Sequence, residues 1–375
     1  MIIAVNTRFL LKDQLEGIGW FTYETLQRLV KRYPQHQFIF FFDRPFDQRY
    51  VFADNVKPIV LFPPARHPLL FYIWFEYAVA NALKKYKADL FLSTDNFLSL
   101  RTSVPTLLVV HDLSFIHFPN QVKYWEQRYY NYFMPKFVAK AARIATVSEY
   151  TKQDIKQQFD IPLDKIDVVF NGVRKIFQPL SEVQKKAIKR EYSESEDYFF
   201  YIGAVHPRKN VHRMIAAFDG FKKATNTKTK FLIAGRFAWQ TESIKLAYER
   251  AKHKKDILFL NYLPDNEVPL LMGSALAFVY VSLFEGFGIP LLEAMNCDVP
   301  ILTSNVSSMP EVVGQAGLTV PPDSTDAIKE AMIRLCRDET LRDKLMQHGQ
   351  RQRQKFSWDT TTDYLEKSIR KIIEL

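Results

Sequence analysis

The chain is short of cysteine, of long apolar runs and of repetitive sequence, and each shortage removes a class of protein. Two cysteines in 375 residues, Cys297 and Cys336, cannot build a disulfide framework. Neither lies in a C-x-x-C or Cys/His cluster of metal-ligand spacing, so no metal centre is expected. Such sparse cysteine suits a reducing cytoplasm. No stretch of about 18 uncharged apolar residues occurs, so no membrane-spanning helix is expected. The opening run MIIAVNTRFLL is too short for a signal peptide and has no basic segment before it, so no leader is expected either. The absence of low-complexity tracts and of a solenoid period sets aside disorder and repeat architectures.

What is present is a chain of 375 residues, 47% hydrophobic, which is too long for one ordinary core and suits two domains. The net charge of +10 is uneven: residues 1–175 hold 23 Lys and Arg against 16 Asp and Glu, the remainder 28 against 25. A basic half suits an anionic counterpart, either phosphate-bearing substrates or acidic lipid headgroups at a membrane surface. No nucleic-acid-binding motif accompanies the charge, so no nucleic-acid partner is expected. The basic runs Lys84-Lys85-Lys87, Lys252 to Lys255 and Arg351 to Lys355 fall at helix ends and loops, where a merely solvated face is the ordinary explanation.

Along the chain, short unbroken apolar runs alternate with helical periodicity. Strands are expected at Ile2–Asn6, Phe38–Phe42, Val56–Phe62, Leu90–Ser93, Thr106–His111 and Ile144–Ser148, with helices over 20–32, 69–86 and 122–141. The pattern restarts with strands at Tyr198–Gly203, Lys230–Ala234, Ile257–Leu260, Ala277–Val281 and Val299–Thr303, and helices over 209–224, 241–253 and 290–296. Apolar strands separated by helices indicate buried parallel sheets with crossover helices. Two series predict two Rossmann-like α/β domains, residues 1–175 and 176–358, joined in the polar stretch Asn171–Ser195. A final helix over 359–375 is expected to complete the first domain. In such sheets ligands sit beyond the strand C-termini.

The densest chemical signal lies at such a strand end: Glu285-Gly286-Phe287-Gly288-Ile289-Pro290-Leu291-Leu292-Glu293. Glycines 286 and 288 allow close backbone approach, and the amides of Phe287 to Ile289 with the positive helix start suit a diphosphate. A carboxylate beside bound phosphate is repelled unless it receives hydroxyls, and sugar hydroxyls are good donors. Acidic residues in the first turn of any helix give the bland alternative. Gly203-Ala204-Val205-His206-Pro207-Arg208-Lys209-Asn210 places two cations after a strand, suited to a leaving group whose charge rises as a bond breaks. His111 ends a strand in VVHDLSFIHFP, and Glu16-Gly17-Ile18-Gly19-Trp20 opens a helix, its G-x-G alone being a weak signal.

The spacing E-x7-E within SLFEGFGIPLLEAM, followed by VPILTSNVSSMPEVVGQAGLTVPP, resembles the retaining glycosyltransferases of family GT4. The likeness runs over essentially the whole chain. It implies the GT-B architecture: two Rossmann-like domains facing across a cleft, acceptor side first and nucleotide-sugar side second. It further implies that Glu285 contacts the transferred sugar and Glu293 the ribose. Gly286, Phe287, Gly288 and Ile289 would hold the donor diphosphate with Lys209, Arg208 and Gly19. His111 would contact the donor sugar, and the Leu263 backbone the base. His117 carries no such implication and is taken as structural. The sequence departs from the family pattern at Ala204, where many relatives carry a second arginine, and at Asn261, where glycine is usual. Thr146-Val147-Ser148-Glu149 is similar to a family segment near the sugar.

The implied reaction moves a hexose from a nucleotide-diphosphate sugar, GDP-mannose first and UDP-hexoses next, to a glycan or lipid-linked acceptor. It implies front-face attack with the departing phosphate oxygen taking the proton, without metal or other cofactor. Aromatic stretches Phe71 to Tyr77 and Tyr124 to Phe137 are either core or a face for a membrane-proximal acceptor at the inner leaflet. The enzyme is expected to serve polysaccharide assembly. A non-catalytic, sugar-nucleotide-binding or membrane-docked scaffold of the same fold is the alternative from another class. A glycoside hydrolase is disfavoured, since Glu285 and Glu293 flank a phosphate site and not a scissile bond.

Overall fold

The computed structural model describes residues 1–12, 15–237 and 241–374. The chain forms two compact units, Met1–Gly172 with Ser357–Leu375, and Val173–Phe356.

Unit 1 is built on seven parallel strands: β1 (Ile2–Asn6), β2 (Gln37–Phe42), β3 (Val56–Val60), β4 (Leu90–Ser93), β5 (Thr106–Val110), β6 (Arg143–Thr146) and β7 (Ile166–Val168). Their order is β3-β2-β1-β4-β5-β6-β7. The central strands are apolar on both faces because helices cover both; β2 reads QFIFFF, with Phe38 to Phe42 buried. The strand order reverses between β1 and β4, which opens a crevice at their C-terminal ends. The helix Trp358–Ile373 returns to this unit: Lys371 pairs with Asp167 at 2.6 Å, and Thr361 Oγ1 donates to the Phe170 carbonyl at 2.6 Å.

Unit 2 carries six parallel strands: β8 (Tyr198–Ile202), β9 (Lys230–Ala234), β10 (Ile257–Asn261), β11 (Ala277–Tyr280), β12 (Ile301–Ser304) and β13 (Gly317–Val320). The order is β10-β9-β8-β11-β12-β13, with its reversal between β8 and β11. The helices Val211–Thr225 and Thr325–Arg337 pack against each other on one face.

Several elements differ from the sequence expectation, each for a local reason. The edge strands β7 and β13 are three and four residues long and half-exposed, too short for a periodic signal. The polar stretch read as a linker contains the helix Glu182–Ser193, fixed by a reciprocal cap between Ser181 and Gln184. The helix expected over 69–86 contains a π-helical segment, Trp74–Val79, which buries Trp74, Phe75 and Glu76. The helix expected from residue 209 begins at Val211. Pro207–Lys209 form a 3-10 turn, and Asn210 takes the left-handed conformation at φ 61°.

Candidate active site

The reversal of strand order in unit 2 gathers residues from three sequence segments. The turn after β8 presents Arg208 and Lys209, and buried Asn210 pins that turn to the end of β11. Its side-chain amide donates to the carbonyls of Val281, at 3.0 Å, and Pro322, at 2.6 Å. The Arg208 carbonyl accepts from the Leu283 amide at 2.8 Å, and Arg208 Nη1 donates to the Phe284 carbonyl at 2.7 Å. Asparagine suits position 210 because it tolerates left-handed backbone and brings its own donors.

Both cations converge on Glu285. Lys209 Nζ lies 2.6 Å from Glu285 Oε1, and Arg208 Nη1 lies 3.5 Å from Oε2. The buried phenol of Tyr280, the last residue of β11, accepts from Lys209 Nζ at 2.9 Å and donates to Glu285 Oε1 at 2.9 Å. Burial alone would raise the Glu285 pKa; the Lys209 and Arg208 charges outweigh it and hold the carboxyl below its ordinary value. Two cations on one carboxylate leave this corner with a positive excess.

The loop that follows is tied down by the serines of TSNVSSMPE. The Glu285 amide donates to Ser307 Oγ at 3.1 Å, and Ser308 Oγ stands 2.9 and 3.0 Å from the carbonyls of Glu285 and Phe287. Gly288 caps the helix Ile289–Asn296 at φ 96°, a conformation that side-chain-bearing residues rarely adopt. In the first turn of that helix Pro290 brings no amide and the Leu291 amide donates to the Gly288 carbonyl at 2.9 Å; the turn carries the positive end of the helix dipole.

Glu293 sits in a contrasting setting. It is buried, and its nearest cation, Arg174 Nη2, is 3.7 Å from Oε1 while Nη1 of the same arginine reaches Asp265 at 3.2 Å. Burial dominates, Arg174 offsets part of it, and the pKa is raised to about 7. Arg174 thus joins Glu293 to the loop after β10 that holds Leu263. At the end of β10, just before that loop, Asn261 adopts φ 54°, and its carbonyl accepts from the Gly235 amide at 2.6 Å. Left-handed backbone is where glycine is the default and asparagine the usual second choice, so this departure keeps the turn.

In unit 1, His111 follows β5. Its Nε2 lies 2.8 Å from the Thr94 carbonyl and its amide donates to Asn96 Oδ1 at 2.9 Å. Because a carbonyl only accepts, Nε2 carries the proton. Burial lowers the pKa and keeps the ring neutral, which leaves Nδ1 as an acceptor. Phe21 packs edge-on to the imidazole at 5.2 Å, so the helix Gly17–Arg32 flanks it. Gly19 is buried in the first turn of that helix. A Cβ there would stand 2.8 Å from the Phe9 carbonyl, whereas nothing lies within 4 Å of a Cβ at Gly17. The close approach at Gly19 is therefore to the chain's own backbone. His117 pairs with buried Asp154 at 2.8 Å.

Unit 2 brings together Arg208, Lys209, Glu285 and Gly286 to Ile289, with Glu293 one helical turn further on. Unit 1 holds His111 beside the helix of Gly19. Sequence reasoning missed Tyr280 and Arg174. Tyr280 read only as the end of an apolar strand, and Arg174 lay in a segment taken as a join. Among the described residues no group of three His, Cys, Asp or Glu could hold a metal ion, and no helix is long and apolar enough to cross a membrane.

The chain is similar to known proteins in sequence and in fold. The family model for glycosyl transferases group 1 matches residues 183–352, and that for Glycosyltransferase Family 4 matches residues 15–175. The chain is 31% identical over 284 residues to an O-antigen chain mannosyltransferase B of Escherichia coli, covering 76% of this chain and 74% of that protein. It is 27% identical over 271 residues to the O-antigen chain mannosyltransferase RfbU of Salmonella typhimurium, covering 71% and 70%. In fold it matches a sucrose-phosphate synthase from Thermosynechococcus elongatus with a TM-score of 0.81, at 16% identity over 100% of this chain and 99% of that one.

Proposed function

The chain belongs to glycosyltransferase family 4, and from that premise we propose that it moves a hexose, with retention of configuration, from a nucleotide-diphosphate sugar to a hydroxyl of a glycan or lipid-linked acceptor. The observation that carries this reading is the cluster of Arg208 and Lys209 on Glu285, set at the start of the helix Ile289–Asn296. Two cations and a helix start suit a diphosphate whose charge grows as the glycosidic bond breaks, and such stabilisation is commonly the largest catalytic contribution.

Unit 2 is the donor side in this reading. Lys209 and Arg208 neutralise the diphosphate, and the amides of Gly286 to Ile289 receive its oxygens. Glu285 accepts from hydroxyls of the transferred sugar, Glu293 accepts from the ribose, and the Leu263 backbone meets the base. Unit 1 is the acceptor side, with His111 and the helix start at Gly19 contributing to the donor. The departing phosphate oxygen takes the acceptor proton, so neither a dedicated carboxylate base nor a metal is required. The names of the mannosyltransferase relatives support mannose as the sugar and O-antigen-like acceptors, and GDP-mannose is the donor in this reading.

Exposed Tyr124, Trp125 and Tyr132 beside Arg128 and Lys136 on the helix Tyr124–Lys140 suit peripheral contact with an anionic membrane at the cytoplasmic face. Sedimentation with vesicles containing phosphatidylglycerol tests this contact; no difference from neutral vesicles would remove it. The donor assignment is tested by supplying GDP-mannose and UDP-glucose separately and reading the anomeric configuration of the product by NMR. Mannosyl transfer with retained configuration is expected. An inverted product, or no transfer from any sugar nucleotide, overturns the reading.

A further inference from the structure

Tyr280 lies beneath the phosphate corner and belongs to none of the motifs that define it. Its ring stacks on Tyr201 at 6.0 Å and on Phe278 at 5.7 Å, and its backbone carbonyl accepts from Thr303 Oγ1 at 2.8 Å. Its hydroxyl is 2.9 Å from both Lys209 Nζ and Glu285 Oε1. A phenol has one proton: Lys209 can only donate to it, so the proton points to Glu285. Burial and the neighbouring Glu285 charge push the phenol pKa well above its ordinary value, so it keeps that proton.

In the donor-free protein, Lys209 and Arg208 balance the buried Glu285 carboxylate. A diphosphate entering this corner competes for the same two cations. Glu285 would then face an anion with its counter-charges drawn away, a setting that favours protonation. A protonated Glu285 loses acceptor capacity toward sugar hydroxyls. A donor that is not drawn away is the Tyr280 hydroxyl, because Tyr201 and Phe278 stack on its ring.

We propose that Tyr280 is a positioning residue for the transfer reaction: its hydroxyl keeps Glu285 ionised and aimed at the sugar while Lys209 turns to the diphosphate. This rests on the donor reading above. Tyr280→Phe retains the ring and its stacking and removes only the oxygen, so unfolding temperature serves as a control for packing. The expected result is a fall in kcat of about tenfold with KM for the donor within about twofold, because the loss acts through Glu285 after binding. The acid limb of the kcat–pH profile moves to higher pH.

A second measurement does not depend on turnover. In the ligand-free protein, the 13C carboxyl resonance of Glu285 is followed against pH in wild type and Tyr280→Phe, with Glu285→Gln for assignment. The apparent pKa of Glu285 rises in the variant if Tyr280 supports the carboxylate. An unchanged Glu285 titration overturns the proposal even if wild type transfers sugar. If wild type transfers nothing while the titration shifts, the donor reading fails and the Tyr280–Glu285 coupling stands. An effect on donor KM alone also overturns it, since Tyr280 would then act only through Lys209 on phosphate binding.

Discussion

The two sheets reverse their strand order in the same way and place different chemistry at the reversal. In unit 1 the ends of β1 and β4 meet as a closed polar network. Asn6 Nδ2 donates to Ser93 Oγ at 3.2 Å, Thr22 Oγ1 to Thr94 Oγ1 at 2.9 Å, and Arg8 Nε to Asp95 Oδ2 at 2.5 Å. One buried cation meets one buried anion there, and the guanidinium lies over the Phe97 ring at 4.2 Å. In unit 2 the ends of β8 and β11 hold two cations against one carboxylate, beside a helix start. The same backbone solution therefore yields a charge-balanced crevice in one unit and a positive one in the other. Topology says where a ligand can sit, and the charge excess says which ligand suits it.

The sharpest way to separate the two is to disturb each balance and ask what responds. Asp95→Ala strands the Arg8 cation among phenyl rings and is expected to cost about 3–5 kcal/mol of stability, read from urea unfolding. Nucleotide affinity, which the proposed donor reading assigns to unit 2, should not change in the folded fraction. A loss below about 1 kcal/mol would mean that Arg8 finds solvent, and the contrast between a closed and an open crevice would fail. Lys209→Ala removes one of the two cations that stand on Glu285. Transfer should fall roughly 100- to 1,000-fold, as for loss of a donor aimed at developing charge, with a smaller effect on stability because Arg208 still faces Glu285. Transfer within threefold of wild type would shift the diphosphate role away from this lysine.

Within unit 2 the two glutamates repeat the contrast at closer range. Glu285 is ionised by its cations, whereas Glu293 is dominated by burial, with a pKa of about 7 against an ordinary 4.5. A raised glutamate pKa means that the folded state holds the proton more tightly than the unfolded one. Stability from this group is thus full below pH 4.5 and is lost as pH rises to about 7, by up to about 3 kcal/mol. Glu293→Gln mimics the protonated form. It should match wild type near pH 4 and exceed it in stability at pH 8, while binding nucleotide more weakly there. Equal stability of the two proteins at pH 8 would show that Arg174 compensates Glu293 fully.

These contrasts were only partly legible in the sequence. β1, β4 and β9 fall where apolar runs place them, because a strand buried on both faces leaves an unbroken signal. Arg208, Lys209 and Glu285 were visible as candidates because the two cations share one motif and the glutamate opens another. Tyr280 was not, since a tyrosine closing an apolar strand looks like core until its hydroxyl is seen between two charges. Arg174 gave no signal at all: its partners Asp265 and Glu293 are about 90 or more positions away. Charge balance is a property of the assembled neighbourhood, and short-range patterns do not report it.

Glycine gives the smallest and most local test. The resemblance to the glycosyltransferase family placed the need for Gly19 at the ligand, but its missing Cβ is demanded by the Phe9 carbonyl at 2.8 Å, inside unit 1. Gly19→Ala should therefore destabilise by about 1–3 kcal/mol through overpacking, whether or not nucleotide is present. Gly17, with open space around it, sits at the first position of the same helix. There alanine should leave stability unchanged or raise it by up to about 1 kcal/mol, since it is the better helix former. If the helix start also meets the donor, Gly17→Ala weakens nucleotide-sugar binding at full stability, measured by titration calorimetry beside the unfolding curve. The reverse pattern, with Gly19→Ala stable and deficient in binding, would return the requirement to the ligand. It would also mean that the contact between Gly19 and Phe9 yields when the chain is pressed.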